Sequence, residues 1–367
     1  MHCRSVCLVI LIITAWINAQ AQPTARLEPL GQVVIPHNQL VDGSPAGGLS
    51  GLAYDKAANK FYAISDDRSE YAPARFYSFR LDMPEQDSLK TVEIRWIDKT
   101  VLQDSAGRPY KKFRIDPEGI ALGPDSLIYI SSEGDPRIEV APFVNGYDHS
   151  GRLVQELPIP EAYWSAERSG QKWGVRTNLG FEGLSISPDG NKLYAGLENA
   201  LLQDGPKADS GHASPARIIV YDMPSGKIRH EFWYSVNPVV KLPMTGKGFA
   251  VNGLSDVLAL DNDGQLLALE RNFVQGQGNR ILLYQASTKG AADVKNVNSL
   301  KQLSQPQQPV AKWLIADLAD YGITIDNFEG MALGPKLESG GRLLLMVSDD
   351  NFSSSQKTIF TAFRINY

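Results

Sequence analysis

Thiols are nearly missing from this chain: of its 367 residues only Cys3 and Cys7 are cysteine, and both fall in the first 21 positions. That segment carries His2 and Arg4, an uncharged run over residues 5–18, and then Ala19-Gln20-Ala21, with small residues at the two positions that decide cleavage. It reads as a secretory signal peptide. Its removal leaves residues 22–367 without a thiol, which excludes disulfides, a catalytic cysteine and a thiolate metal site. Export without disulfides points to a secreted or periplasmic protein. Histidine is scarce as well: His37, His149, His212 and His230 remain, without paired spacing, so zinc or iron held by imidazoles is disfavoured. No later run is long and apolar enough for a membrane span. Positive charge is not in excess either. After Arg4 is removed, 35 Lys and Arg face 41 acids, a net charge of −6 that argues against a nucleic-acid partner.

What the chain does have is one short pattern, written five times. Residues 182–198 read EGLSISPDGNKLYAGLE: an acid, a glycine, an alternating apolar run, a Pro-Asp-Gly turn, a second apolar run and a closing acid. The pattern returns at 50–67, 118–133, 256–270 and 329–350, with first residues 68, 64, 74 and 73 positions apart. Two apolar runs around Gly, Asp, Pro or Asn make a hairpin, and so long a period suits propeller blades better than a helical solenoid. The expected fold is all-β: a single β-propeller domain over residues 22–367 with five four-stranded blades, six remaining open if a long interval hides a degenerate blade. Third strands are expected from Ala74, Pro136, Ala216, Asn279 and Lys357, and fourth strands near Thr91, Gly151, Gly226 and Val310. The strand from Arg26 precedes the first repeat while the last repeat is one strand short. The N-terminal strand is therefore expected to close the ring as the outer strand of the last blade. The polar run 287–309 reads as a solvated excursion.

A hairpin's first strand begins, and its second ends, on the same edge of the sheet. The opening acids Glu118, Glu182, Asp256 and Glu329 are thus expected to gather with the closing acids Asp66, Asp67, Glu133, Glu198, Glu270, Asp349 and Asp350 at one end of the ring. Converging carboxylates repel one another, and either take up protons or bind cations. Calcium accepts about six to eight oxygen ligands in tolerant geometry, so Ca2+ is the expected cofactor. The competing expectation is that each acid caps a turn or pairs with a nearby arginine, Arg68, Arg137 and Arg271 standing a few residues away. Arg75, Arg137, Arg217 and Arg280 open third strands and enter from the same end. Loops 161–180, 201–215 and 237–252 carry Trp164, Trp173, Arg168, Arg176, Lys207, His212, Lys241 and Lys247, side chains suited to binding.

The stretches GGLSGLAYD, DPEGIAL, GFEGLSISPDG and NFEGMALGP, with SDD or SSE closing hairpins, resemble the phytase-like domain of the bacterial "esterase-like activity of phytase" family. The resemblance spans nearly the whole mature chain. It implies a secreted propeller, related in architecture to alkaline phytases, acting as a calcium-dependent phosphoric ester hydrolase on a small-molecule substrate. In that reading all the rim acids hold calcium, Glu118, Glu182 and Glu329 among them also being the catalytic set, and Arg75, Arg137, Arg217 and Arg280 clamp phosphate. The D-D-P-A-φ-W stretch of characterised alkaline phytases is missing, so phytate itself is not carried over. Two other functions fit the same repeats: a non-catalytic propeller binding a ligand or protein through its Trp-bearing loops, and a lactonase-like propeller with one axial metal.

Overall fold

The computed structural model describes residues 25–83, 92–168, 170–239, 248–305 and 307–367. The segment read as a signal peptide, with Cys3 and Cys7, and the loop residues Lys241 and Lys247 lie outside the described residues. Each repeat folds as the apolar runs dictate, into an antiparallel sheet of four strands. Blade 1 runs from the axis outward through Leu49–Asp55, Lys60–Ser65, Arg75–Asp82 and Glu93–Val101. Blade 2 comprises Pro117–Leu122, Ile128–Ser132, Phe143–Tyr147 and Leu153–Glu156. Blade 3 comprises Phe181–Ile186, Lys192–Leu197, Ser214–Asp222 and Lys227–Val236. Blade 4 comprises Ala250–Ala259, Gln265–Val274, Gly278–Ser287 and Ala311–Asp317.

Blade 5 takes three strands from the C-terminal end of the chain, Asn327–Lys336, Arg342–Asp349 and Ile359–Asn366. Its outer strand is Arg26–Val34, paired antiparallel from Arg26 opposite Asn366 to Val34 opposite Ile359. The ring is therefore five-bladed and closed by its N-terminal strand, which leaves no blade with an unpaired third strand.

The core lies between blades because both faces of the inner three strands are covered. Phe61 and Phe79 of blade 1 pack with Leu345, Val347 and Phe360 of blade 5, and the Phe79 and Phe360 rings meet edge-on at 5.1 Å. Each fully buried aromatic of this kind stabilises by about 1.5–3 kcal/mol.

Two sequence expectations are corrected. The third strand of blade 2 is Phe143–Tyr147, not the stretch from Pro136. Pro136–Ile138 is a short 3-10 turn, capped by the Asp135 side chain accepting from the Arg137 N–H. Proline at its first position has no N–H to give a strand ladder. The run 287–309 is likewise tied down. The Val294 N–H donates to the Glu231 carbonyl at 2.7 Å, Ser299 Oγ to the Gln203 carbonyl at 2.8 Å, and the Leu300 N–H to Asp204 at 2.8 Å. This excursion from blade 4 straps blade 3, held by these three bonds and one buried valine that its polar composition conceals.

Candidate functional site

At one end of the ring every inner strand carries a bulge. It follows the pairs Leu49–Ser65, Pro117–Ser132, Phe181–Leu197, Leu254–Glu270 and Phe328–Ser348. The residues just beyond each pair occupy equivalent places at the mouth. The opening positions are Ser50, Glu118, Glu182, Ser255 and Glu329; the closing positions are Asp66, Glu133, Glu198, Arg271 and Asp349. Glycine follows the opening residue in four blades because the strands crowd there. A Cβ on Gly51 would stand 2.6 Å from the Glu118 carbonyl, and one on Gly119 2.5 Å from the Glu182 carbonyl.

Seven carboxylates and one guanidinium thus share the mouth. Glu133, Glu182 and Glu198 are all buried and bring one oxygen each to within 4.8 Å of the others. Two ionised carboxylates at that separation repel by about 3.5 kcal/mol at an effective dielectric of ~20. Arg271 offsets part of this, lying 3.1 Å from Glu198, 3.3 Å from Glu329 and 3.0 Å from the Asn327 side-chain oxygen. Asn327 Nδ2 donates to Glu329 at 3.0 Å and Asp349 at 3.2 Å, and the Gly180 N–H to Glu133 at 2.9 Å.

Burial, reinforced by neighbouring carboxylates, drives Glu118, Glu133, Glu182, Asp66 and Asp349 well above the usual carboxylate range. Glu198 is raised by burial to about 7, with Arg271 opposing. Asp116, beside the mouth, is raised by burial to about 7, with Arg68 opposing from 3.4 Å. Asp66 Oδ1 is buried and has no hydrogen-bond partner among the described residues. Hard carboxylate oxygens in this number, one of them unpartnered, fit calcium better than a soft or borderline ion.

The other sequence candidates are placed elsewhere. Blade 4 is aligned one residue away from expectation. Asp256 fills the slot that glycine holds in the other blades, accepting from the Val257 N–H at 2.8 Å and the Met331 N–H at 2.7 Å. Glu270 turns into the sheet, buried with Lys312, Tyr234 and Asn252. Asp67 is taken up by the backbone N–H groups of Glu70, Tyr71 and Ala72 and by Arg75 at 2.6 Å. Asp350 accepts from the Gly48 and Phe352 N–H groups and lies 3.5 Å from His37.

The arginines expected to clamp phosphate are each paired with a carboxylate of the protein. Arg75 and Arg217 are fully buried, Arg217 between Asp204 at 2.6 Å and Glu231 at 2.8 Å. Arg137 pairs with Asp135 at 2.8 Å, and Arg280 with Asp317 at 2.7 Å. His212 pairs with Asp209 in an exposed loop. The guanidinium that belongs to the mouth is Arg271, with Arg68 at its edge, and counting from the last paired residue instead of from the first acid would have found it.

At the opposite mouth a cavity of about 520 Å³ is lined by apolar residues including Leu52, Ile120, Leu184 and Leu333, with Lys56, Lys336 and Arg342 among its lining. It contains no carboxylate, so the acid end is the better candidate for chemistry.

Fold and site together define a five-bladed propeller with an acidic axial mouth. The chain belongs to the phytase-like family, esterase-like activity of phytase, whose model matches residues 44–352. It is 31% identical over 153 residues, 35% of this chain, to an uncharacterized secreted protein of Arthroderma benhamiae, and spans 28% of that protein's length. Among solved structures it is similar to a luciferin-regenerating enzyme (14% identity, TM-score 0.36, 86% of this chain and 92% of that one). It is also similar to a periplasmic gluconolactonase of Pseudomonas aeruginosa (13% identity, TM-score 0.35, 87% and 88%). Likenesses this distant add nothing to the functional reading. No helix among the described residues is long and apolar enough to cross a membrane.

Proposed function

We propose that this chain is a secreted, calcium-dependent hydrolase of phosphoric esters, with the reaction centred on the acid mouth. Family membership supports a hydrolase. The observation that carries the metal reading is the buried trio Glu133, Glu182 and Glu198, three carboxylates within 4.8 Å. They would hold one ion, and Asp66, Glu329 and Asp349 would complete or extend the site. Bound calcium supplies positive charge against phosphoryl oxygens and lowers the pKa of a coordinated water.

The protein's own groups do the rest. Arg271, anchored by Glu198 and Glu329, presents a fixed guanidinium for an anionic ester oxygen. Glu118 makes no side-chain hydrogen bond among the described residues and is raised by burial, then by Glu182 and Asp66. It is suited to pass a proton to the leaving oxygen. A lactonase-like use of the same mouth, with one ion and a carboxylic ester, is favoured by the compactness of the trio. Assay of the secreted chain with calcium on a generic phosphomonoester and on a lactone decides between them. Turnover of the phosphomonoester abolished by EDTA is expected; no turnover above the EDTA control sinks the proposal.

A further inference from the structure

Beside the acids, the loop between the second and third strands of blade 5 and the connection from blade 1 to blade 2 each carry a phenylalanine on unfavourable backbone. Among the described residues two aromatics adopt left-handed φ, Phe113 at +63° and Phe352 at +52°. Both stand at this mouth. Large side chains populate that region only when the surroundings enforce it, and such outliers point toward function. Phe352 follows Asn351, also left-handed at +47°, and its ring lies over Gly48, where a Cβ would come within 2.5 Å of it.

Tyr71 stacks on Phe352 with ring centroids 4.5 Å apart and planes 25° apart, and it is 61% exposed. Its hydroxyl makes no hydrogen bond among the described residues. Phe113 is fixed against the same loop by its N–H donating to the Arg68 carbonyl at 2.7 Å, and the Arg68 guanidinium faces its ring at 5.5 Å. The Phe352 ring also lies 6.0 Å from the Arg75 guanidinium, and the tyrosine stacked on it is left facing solvent.

We infer that Tyr71, backed by Phe352, is a stacking platform that selects an ester whose non-reacting portion is a ring. The inference rests on the acid mouth being the reactive centre, and it deepens that reading by naming the substrate's shape. A ring laid on Tyr71 gains face-to-face contact at little entropic cost, since the tyrosine is already held by its neighbour. An acyclic ester of equal charge gains none of it.

The test is binding, independent of turnover. Phenylphosphonate, cyclohexylphosphonate and methylphosphonate are titrated against the full chain in calcium by ligand-observed NMR, with phenyl acetate as a ring without phosphorus. At least one ring phosphonate is expected to bind about fivefold to tenfold more tightly than methylphosphonate. The advantage should vanish in Tyr71→Ala and persist in Tyr71→Phe; phenyl over cyclohexyl identifies an aryl group, parity a saturated ring. Equal binding of ring and methyl probes, or an advantage that survives Tyr71→Ala, overturns the platform. Phenyl acetate contacting Tyr71 while no phosphonate binds supports the platform and counts instead against phosphoric esters.

Discussion

Replacing Glu182 by glutamine is expected to stabilise the calcium-free protein, by an amount that depends steeply on pH. Burial and the charges of Glu198 and Glu133 hold the native proton on Glu182 well above its ordinary 4.5. The native state therefore binds more protons than the unfolded chain above pH 4.5, and stability falls as pH rises. Each pH unit between 4.5 and the raised native pKa costs about 1.36 kcal/mol, so the penalty is small at pH 5 and grows as the pH rises. Glutamine has the shape and no proton to lose. Urea unfolding in EDTA should thus find Glu182→Gln more stable than wild type at pH 8 and nearly equal at pH 5, the gap widening with pH. Calcium at pH 8 should reverse the order, since the variant has lost one ligand of the trio. Equal destabilisation at both pH values would refute the crowding of charges on which the site rests.

Arg217→Met should cost about 3–5 kcal/mol by leaving Asp204 and Glu231 buried and uncompensated, yet calcium uptake by the folded protein should be unchanged; a matched loss of affinity would put this arginine in the site. Gly119→Ala drives a methyl group to 2.5 Å from the Glu182 carbonyl. The resulting strain, about 1–3 kcal/mol, should come with weaker calcium binding, measured by calorimetry. Arg271→Met removes the cation that opposes the rise of Glu198 to about 7. The carboxyl carbon resonance of Glu198 should then titrate at higher pH, and a downward move would contradict the assignment.

The propeller was legible because its repeat is chemical as well as numerical: turn residues between apolar runs at five places, and an unpaired strand at each end of the chain. The acid mouth followed from hairpin geometry alone for Glu118, Glu182, Glu329, Asp66, Glu133, Glu198 and Asp349. Blade 4 misled for a physical reason. Its inner strand carries an acid, Asp256, in the slot that glycine holds elsewhere, and its second strand carries Glu270 one residue before the mouth, so counting from the acids shifts the frame by one. The acids Asp256 and Glu270 were thus read one residue away from the true axial pair, Ser255 and Arg271. The arginines misled differently: sequence places Arg75 and Arg217 at the right end, but not that each is fully buried against carboxylates of its own blade. The strain at Phe113 and Phe352 has no sequence signature at all, since neither residue type announces a left-handed backbone.

The central claim is that the trio Glu133, Glu182 and Glu198 exists to hold a cation. Calcium titration of the chelator-stripped full chain by calorimetry tests it most directly. Saturable uptake of at least one ion per chain, with proton release near pH 7 and loss of binding in the Glu133→Gln, Glu182→Gln, Glu198→Gln triple variant, is the expected result. A wild-type chain that takes up no calcium at millimolar concentration, or a triple variant that binds it as well, would contradict the account.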